Sequence, residues 1–156
     1  MIRLGIVSDS HGATSNMERV LLLLRDCDLI VHLGDHSWDA RRMQEMSGRP
    51  FLFVRGNCDG RDDAPDEIIT HCAGYRILLC HGHRLQVKFG LFRLSMRAQE
   101  AGAQIALFGH THVPQVERDG GVLLVNPGAL MSGCYATLEM RENGPVPLLR
   151  RLDSWK

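Results

Sequence analysis

The strongest constraint in this chain is a pattern that recurs along it: a short apolar run, then glycine or serine, then a side chain able to ligate a metal. Residues 2–7 run into Ser8-Asp9-Ser10-His11-Gly12, and 27–33 into Gly34-Asp35. Residues 51–54 run into Gly56-Asn57-Cys58-Asp59-Gly60, 75–80 into His81-Gly82-His83, and 104–108 into Gly109-His110-Thr111-His112. Short branched runs of this kind read as strands, the first of them buried on both faces. Glycine lets the chain turn sharply where such a strand ends. Polar donors therefore gather where strands hand over to loops, which is where α/β sheets bind ligands. Residues two apart in an extended segment point the same way. The pairs Asp9/His11 and His110/His112 are thus expected to leave their strands side by side.

The segments between these runs read as helices and hairpins. Thr14 or Ser15 is expected to cap a helix, with Glu18 completing a capping box, and Met17, Val20, Leu21 and Leu24 form its apolar face. Residues 38–46 read as a second helix, stopped by Gly48 and Pro50, and 91–101 as a third, ended by Gly102. Residues 67–72 and 75–80 flank Ala73-Gly74 as a hairpin. After the His110/His112 loop, strands around 113–116, 122–125, 135–140 and 146–152 are expected to form an antiparallel meander. Their turns lie at Asp119-Gly120-Gly121 and Asn143-Gly144-Pro145. The expected architecture is one α/β (α+β) domain over residues 1–156, with two packed sheets and helices outside.

Composition narrows the function. Lys+Arg and Asp+Glu balance at 18 each, and no basic stripe interleaved with aromatics is present. Both facts argue against a nucleic-acid polymer as partner. The apolar runs are too short to span a bilayer, and no secretory signal is expected. Cys27, Cys58, Cys72, Cys80 and Cys134 are odd in number without C-x-x-C spacing, which suits reduced thiols in a cytoplasm.

Asp9, His11, Asp35, Asn57, His81, His110 and His112 are the candidate metal ligands. They are too many for one tetrahedral zinc and suit two cations sharing a carboxylate. Nitrogen and oxygen donors without thiolate favour Mn²⁺, Fe²⁺ or Zn²⁺ over a soft metal. His32, His36 and His71 read as structural, as does Arg55, and Cys58 as a small buried filler. Asn126-Pro127-Gly128 reads either as a turn or as a support for the site.

Taken in order, Asp9-x-His11, Gly34-Asp35, Gly56-Asn57-x-Asp59, His81-Gly82-His83 and Gly109-His110-x-His112 resemble the motif set of the calcineurin-like metallophosphoesterases. The Gly-Asn-Cys-Asp form and Asn126-Pro127-Gly128-Ala129 resemble the small bacterial and archaeal phosphodiesterases, the branch that includes the retromer scaffold subunit. The resemblance runs from Ile2 to about Met140. It implies a four-layer αββα sandwich of two mixed sheets flanked by helices. It implies one metal on Asp9, His11, Asp35 and His112 and another on Asp35, Asn57, His81 and His110, with Asp35 bridging. Mn²⁺ is the expected ion, with Fe²⁺, Ni²⁺ and Zn²⁺ as alternatives.

The implied activity is hydrolysis of a small phosphodiester by a two-metal-activated hydroxide attacking phosphorus in line. Asn57 would ligate metal and orient phosphate, and His83 would reach the phosphate or the leaving oxygen. Many relatives carry histidine where Cys58 stands and use it as general acid; here the leaving group is expected to take its proton from His83 or from water. The alternative is a weakly catalytic or non-catalytic binding scaffold on the same fold, and the retention of every expected ligand favours catalysis. Specificity is expected to lie in Ser37-Trp38 and in residues 61–66 and 84–91. Homo-oligomerisation is compatible with all of these features.

Overall fold

A computed structural model describes residues 1–60 and 64–152. The chain order is β1 (Ile2–Val7), α1 (Thr14–Leu23), β2 (Leu29–His32), α2 (Ser37–Ser47), β3 (Phe51–Phe53), β4 (Glu67–Cys72) and β5 (Tyr75–Cys80). It continues with α3 (Phe92–Glu100), β6 (Ile105–Leu107), β7 (Gln115–Asp119), β8 (Val122–Asn126), β9 (Cys134–Arg141) and β10 (Gly144–Arg151). Two five-stranded sheets result, ordered β10-β9-β1-β2-β3 and β4-β5-β6-β8-β7. Both are mixed: β1, β2 and β3 run parallel while β9 is antiparallel to β1, and β5, β6 and β8 run parallel while β4 and β7 are antiparallel at the edges.

Side-chain alternation along the strands builds the layers. Leu4 and Ile6 of β1 face Ile77, Leu79, Ile105, Leu107, Leu123 and Val125 in a core between the two sheets. On the outer face of the first sheet, Val7 and Ile30 pack against Met17 and Val20 of α1, Leu24 just after it, and Met43 of α2. On the outer face of the second, Leu78, Cys80, Ala106 and Leu124 meet Leu94 and Ala98 of α3. Helices, sheet, sheet and helix therefore stack in four layers, the expected αββα sandwich. No helix among the described residues is long and apolar enough to cross a membrane.

Two local expectations need correction. The tail is not one antiparallel meander. Every residue of β8 is buried, so it needs neighbours and cover on all sides, and it inserts between β6 and β7, parallel to β6. β9 then returns to the first sheet beside β1, and the described part of the tail forms two separate hairpins, β7–β8 and β9–β10. The β7 strand also runs later than expected, to Asp119. The capping box of α1 does not form: the residue before the helix is Ala13 and makes no side-chain cap. The helix is held instead by its apolar face, with Met17 and Val20 buried. The α2 stop is as expected, Gly48 adopting φ 64° and donating to the Gln44 carbonyl.

Candidate metal centre

The loops after β1, β2, β3, β5 and β6 meet at one end of the sandwich and bring the seven candidate ligands together. Their backbone is not extended. Asp9, His11, Asp35, His110 and His112 all have positive φ, from 45° to 71°, a conformation that costs L-residues about 1 kcal/mol each. The side-by-side expectation for His110 and His112 is therefore corrected. The Thr111 amide folds back onto the Gly109 carbonyl at 2.9 Å, and the two imidazoles enter different groups. The nitrogen or carboxylate atoms of Asp9, His11, Asp35 and His112 lie within 4.8 Å of one another, as do those of Asp35, His81 and His110. Asp35 belongs to both groups.

Each carboxylate is anchored through one oxygen and presents the other. Asp9 Oδ2 accepts from Ser8 Oγ at 2.5 Å and from the His110 amide at 3.2 Å. Its Oδ1, buried and without a hydrogen bond, lies 3.3 Å from His112 Nε2 and 3.7 Å from His81 Nε2. Asp35 Oδ1 accepts from the Cys58 amide at 2.9 Å, leaving Oδ2 at 3.4 Å from His81 Nε2 and 3.7 Å from His11 Nε2. The His81 tautomer follows from its other nitrogen: Nδ1 donates to the Leu33 carbonyl at 2.7 Å, so the neutral ring turns a lone pair from Nε2 toward the centre. That lone pair faces Asn57 Oδ1 at 3.1 Å as well as the two carboxylates. Acceptors aimed at acceptors, with Asp9 Oδ1 and His11 Nε2 both buried and unpartnered, form a donor set that fits cations.

The electrostatics have the same origin. Burial works against charge on His81, but the Asp35 and Asp9 carboxylates outweigh it and raise its pKa in the metal-free protein. Burial raises Asp9. Burial also acts to raise Asp35, yet the attraction of the His81 ring, whose own pKa is raised, and the bond from the Cys58 amide hold it below the usual carboxylate range. His110 is lowered to about 4 by burial and by the neighbouring His81, and His83 is lowered for the same two reasons. Buried His32 is lowered to about 4 by desolvation.

Against an unfolded value near 6.5, the neutral His32 contributes stability that is whole above about pH 6.5 and disappears as pH falls toward 4, on the order of 3 kcal/mol. The His32 ring is accordingly expected to stay neutral in NMR titration down to about pH 5, with the melting temperature of metal-free protein falling over that range. A ring that titrates near 6.5 in the folded state would contradict this.

His83 opens a 3₁₀ turn, His83–Leu85, and its ring centroid lies 5.3 Å from that of His81 and 6.1 Å from that of His110. It lines a cleft of about 500 Å³ with His81, Asp66, Arg84 and Arg97. Cys58 is exposed, not a buried filler; the loop needs its amide for Asp35 and leaves the side chain outside. Its thiol is pushed up by desolvation and by Asp35.

Arg55 is structural, paired with Asp66 at 2.9 Å, and His71 lies against Arg76 away from the centre. His36 lies at the rim, its ring 5.1 Å from that of His11. Asn126 supports the site: buried, it donates to the Gly109 carbonyl and Thr111 Oγ1, both at 3.0 Å, and accepts from the Gly128 amide at 2.8 Å. Of the segments expected to set specificity, Trp38 is 66% and Phe89 90% exposed, and residues 61–63 lie outside the described residues.

Comparison with known proteins identifies the family. The sequence matches the calcineurin-like phosphoesterase superfamily domain over residues 2–143. It is 34% identical over 126 residues to Probable metallophosphoesterase YsnB of Bacillus subtilis, covering 80% of this chain and 73% of that one. It is 28% identical over 158 residues to Phosphodiesterase YfcE of Escherichia coli K12, covering 83% and 80%. Among solved structures, zinc-complexed Vps29 of Entamoeba histolytica superposes with a TM-score of 0.77 at 16% identity, over 97% of this chain and 99% of that one, a likeness of fold. The matched domain spans every loop that carries a candidate ligand, and the chain belongs to the calcineurin-like phosphoesterase superfamily.

Proposed function

We propose that the protein is a metal-dependent phosphodiesterase with a two-cation centre. Asp9, His11, Asp35 and His112 would hold one ion and Asp35, Asn57, His81 and His110 the other. The observation that carries this is Asp35, one carboxylate common to two ligand groups with its Oδ2 free of hydrogen-bonded anchoring. Donors limited to nitrogen and oxygen favour Mn²⁺, Fe²⁺, Ni²⁺ or Zn²⁺ over a soft metal, and the family resemblance puts Mn²⁺ first. Two bound cations supply a nucleophile from water near neutral pH and offset the charge of phosphate oxygens.

The remaining work falls to the chain. Asn57 turns Oδ1 inward and keeps Nδ2, 3.7 Å from Cys58 Sγ, to donate to a phosphate oxygen. His83, neutral and with Nδ1 buried and unpartnered, stands at the cleft beside the centre, where a leaving oxygen would lie. The leaving oxygen would take its proton from the protonated form of His83, a minority at neutral pH because burial and His81 lower its pKa, or from water; the raised pKa of the Cys58 thiol counts against that side chain. Charge balance favours a small diester over a polymer, and five free cysteines suit the cytoplasm.

The scaffold reading is kept by the Vps29 likeness. That protein is described as complexed with zinc, so ligand retention by itself does not separate the two readings; turnover does. Chelator-stripped protein is expected to be inert toward bis-p-nitrophenyl phosphate and to regain hydrolysis with Mn²⁺, with the monoester p-nitrophenyl phosphate slower. Stoichiometric metal binding without turnover of either ester in Mn²⁺, Ni²⁺ or Zn²⁺ would decide for a scaffold.

A further inference from the structure

We propose that Asp39, acting through Ser10 and His32, is a positioning residue for one half of the metal centre, the group Asp9, His11, Asp35 and His112. The inference rests on the metal-holding reading above. Ser10, His32 and Asp39 are at most 2% exposed, and none belongs to either ligand group. They form one directed chain. The Gly34 amide donates to His32 Nδ1 at 3.2 Å, so Nδ1 is an acceptor and the ring proton sits on Nε2. Nε2 then donates to Ser10 Oγ at 2.8 Å, and the Ser10 hydroxyl donates to Asp39 Oδ2 at 2.7 Å. The same Oδ2 accepts the Gly12 amide at 2.8 Å.

The contact points explain the role. Gly34 precedes Asp35, Ser10 lies between Asp9 and His11, and Gly12 follows His11. One buried chain thus fastens the β1 loop and the β2 loop to each other and to α2, which carries Asp39. Asp9, His11 and Asp35 all have positive φ, and such backbone persists only where surrounding contacts over-determine it. The other half shares Asp35 but also has fastenings that do not pass through Asp39. His81 is held by the Leu33 carbonyl, and the His110 loop by Asn126. Loosening Asp39 should therefore affect the two halves unequally, which general destabilisation would not do.

The test is a Mn²⁺ titration by calorimetry on chelator-stripped full-length protein, with melting temperature measured alongside. Wild type is expected to bind two equivalents. Asp39→Ala is expected to weaken one equivalent about 10–100-fold, the usual effect of removing an outer hydrogen-bond partner, and the other, which it reaches only through the shared Asp35, clearly less. Ser10→Ala, which removes one hydroxyl and serves if Asp39→Ala does not fold, should show the same asymmetry to a smaller degree. Asp39→Asn, whose amide oxygen can take both donors, should restore affinity to within a few-fold. Unchanged binding in Asp39→Ala and Ser10→Ala, or equal weakening of both equivalents, would overturn the inference. A wild-type protein that binds no Mn²⁺ would overturn the metal reading itself, and this inference with it.

Discussion

Asparagine in place of Asp35 is expected to abolish binding of both metals and to lower diester hydrolysis on the order of a thousandfold. The substitution keeps the shape. The side-chain oxygen can still accept the Cys58 amide, now 2.9 Å from Oδ1. What changes is the other atom, which becomes an NH₂ donor where Oδ2 now lies 3.4 Å from His81 Nε2 and 3.7 Å from His11 Nε2. A donor cannot ligate a cation, and the one charge shared by both groups is gone. Because the fold's cores are elsewhere, the metal-free variant should melt close to metal-free wild type. The stabilisation that Mn²⁺ confers on wild type, which follows from selective binding to the native state, should vanish. Metal analysis after gel filtration reads the first effect and melting curves with and without Mn²⁺ the second. Two metals per chain in Asp35→Asn would remove Asp35 from the bridging role.

The second large effect is expected from a single methyl group, in Gly109→Ala. A Cβ at 109 would stand 2.1 Å from Ser8 Oγ and 2.8 Å from Asp9 Oδ2. Neither neighbour has room to retreat: Ser8 and Asp9 are fully buried, and the Ser8 hydroxyl is committed to Asp9 at 2.5 Å. The loop itself is held on both sides, the Gly109 amide on the His81 carbonyl at 2.9 Å and the Gly109 carbonyl by Asn126 at 3.0 Å. Overpacking of this kind costs about 1–3 kcal/mol, which for a chain of this size lowers the melting temperature by roughly 2–12 °C. Relief comes from moving Asp9, so the metal group containing Asp9 should weaken as well. Gly12→Ala is the comparison: its Cβ would meet nothing within 4 Å, and it pays only for its positive φ, about 1 kcal/mol. A Gly109→Ala protein with wild-type melting temperature and metal content would show that the β1 and β6 loops are not in this close contact.

Much of this was legible in the chain itself because it is encoded locally. Strand geometry along residues 2–7, 75–80, 104–108 and 122–125 groups residues two apart on one face whatever lies beyond, but both faces of these runs carry apolar side chains, so which set meets the other sheet was left to the tertiary structure. Glycine or serine beside Asp9, Asp35, Asn57, His81 and His110 determined that donors cluster at strand ends. What only the tertiary structure decided depends on residues far apart in sequence. Turn signals marked hairpins after Asp119 and Asn143 but not the sheet each strand would join, because β8 and β9 are buried enough to fit several neighbours. The left-handed backbone of Asp9, His11, Asp35, His110 and His112 carries no local signature. It exists because contacts such as His110 to Asp9 and Cys58 to Asp35 hold it there. Asp39, placed in a helix by its surroundings in the sequence, reaches the site only because α2 packs Ser10 and Gly12 against it. Periodicity reports a residue's face; which distant backbone it will fasten is settled when the loops of two sheets are pressed together.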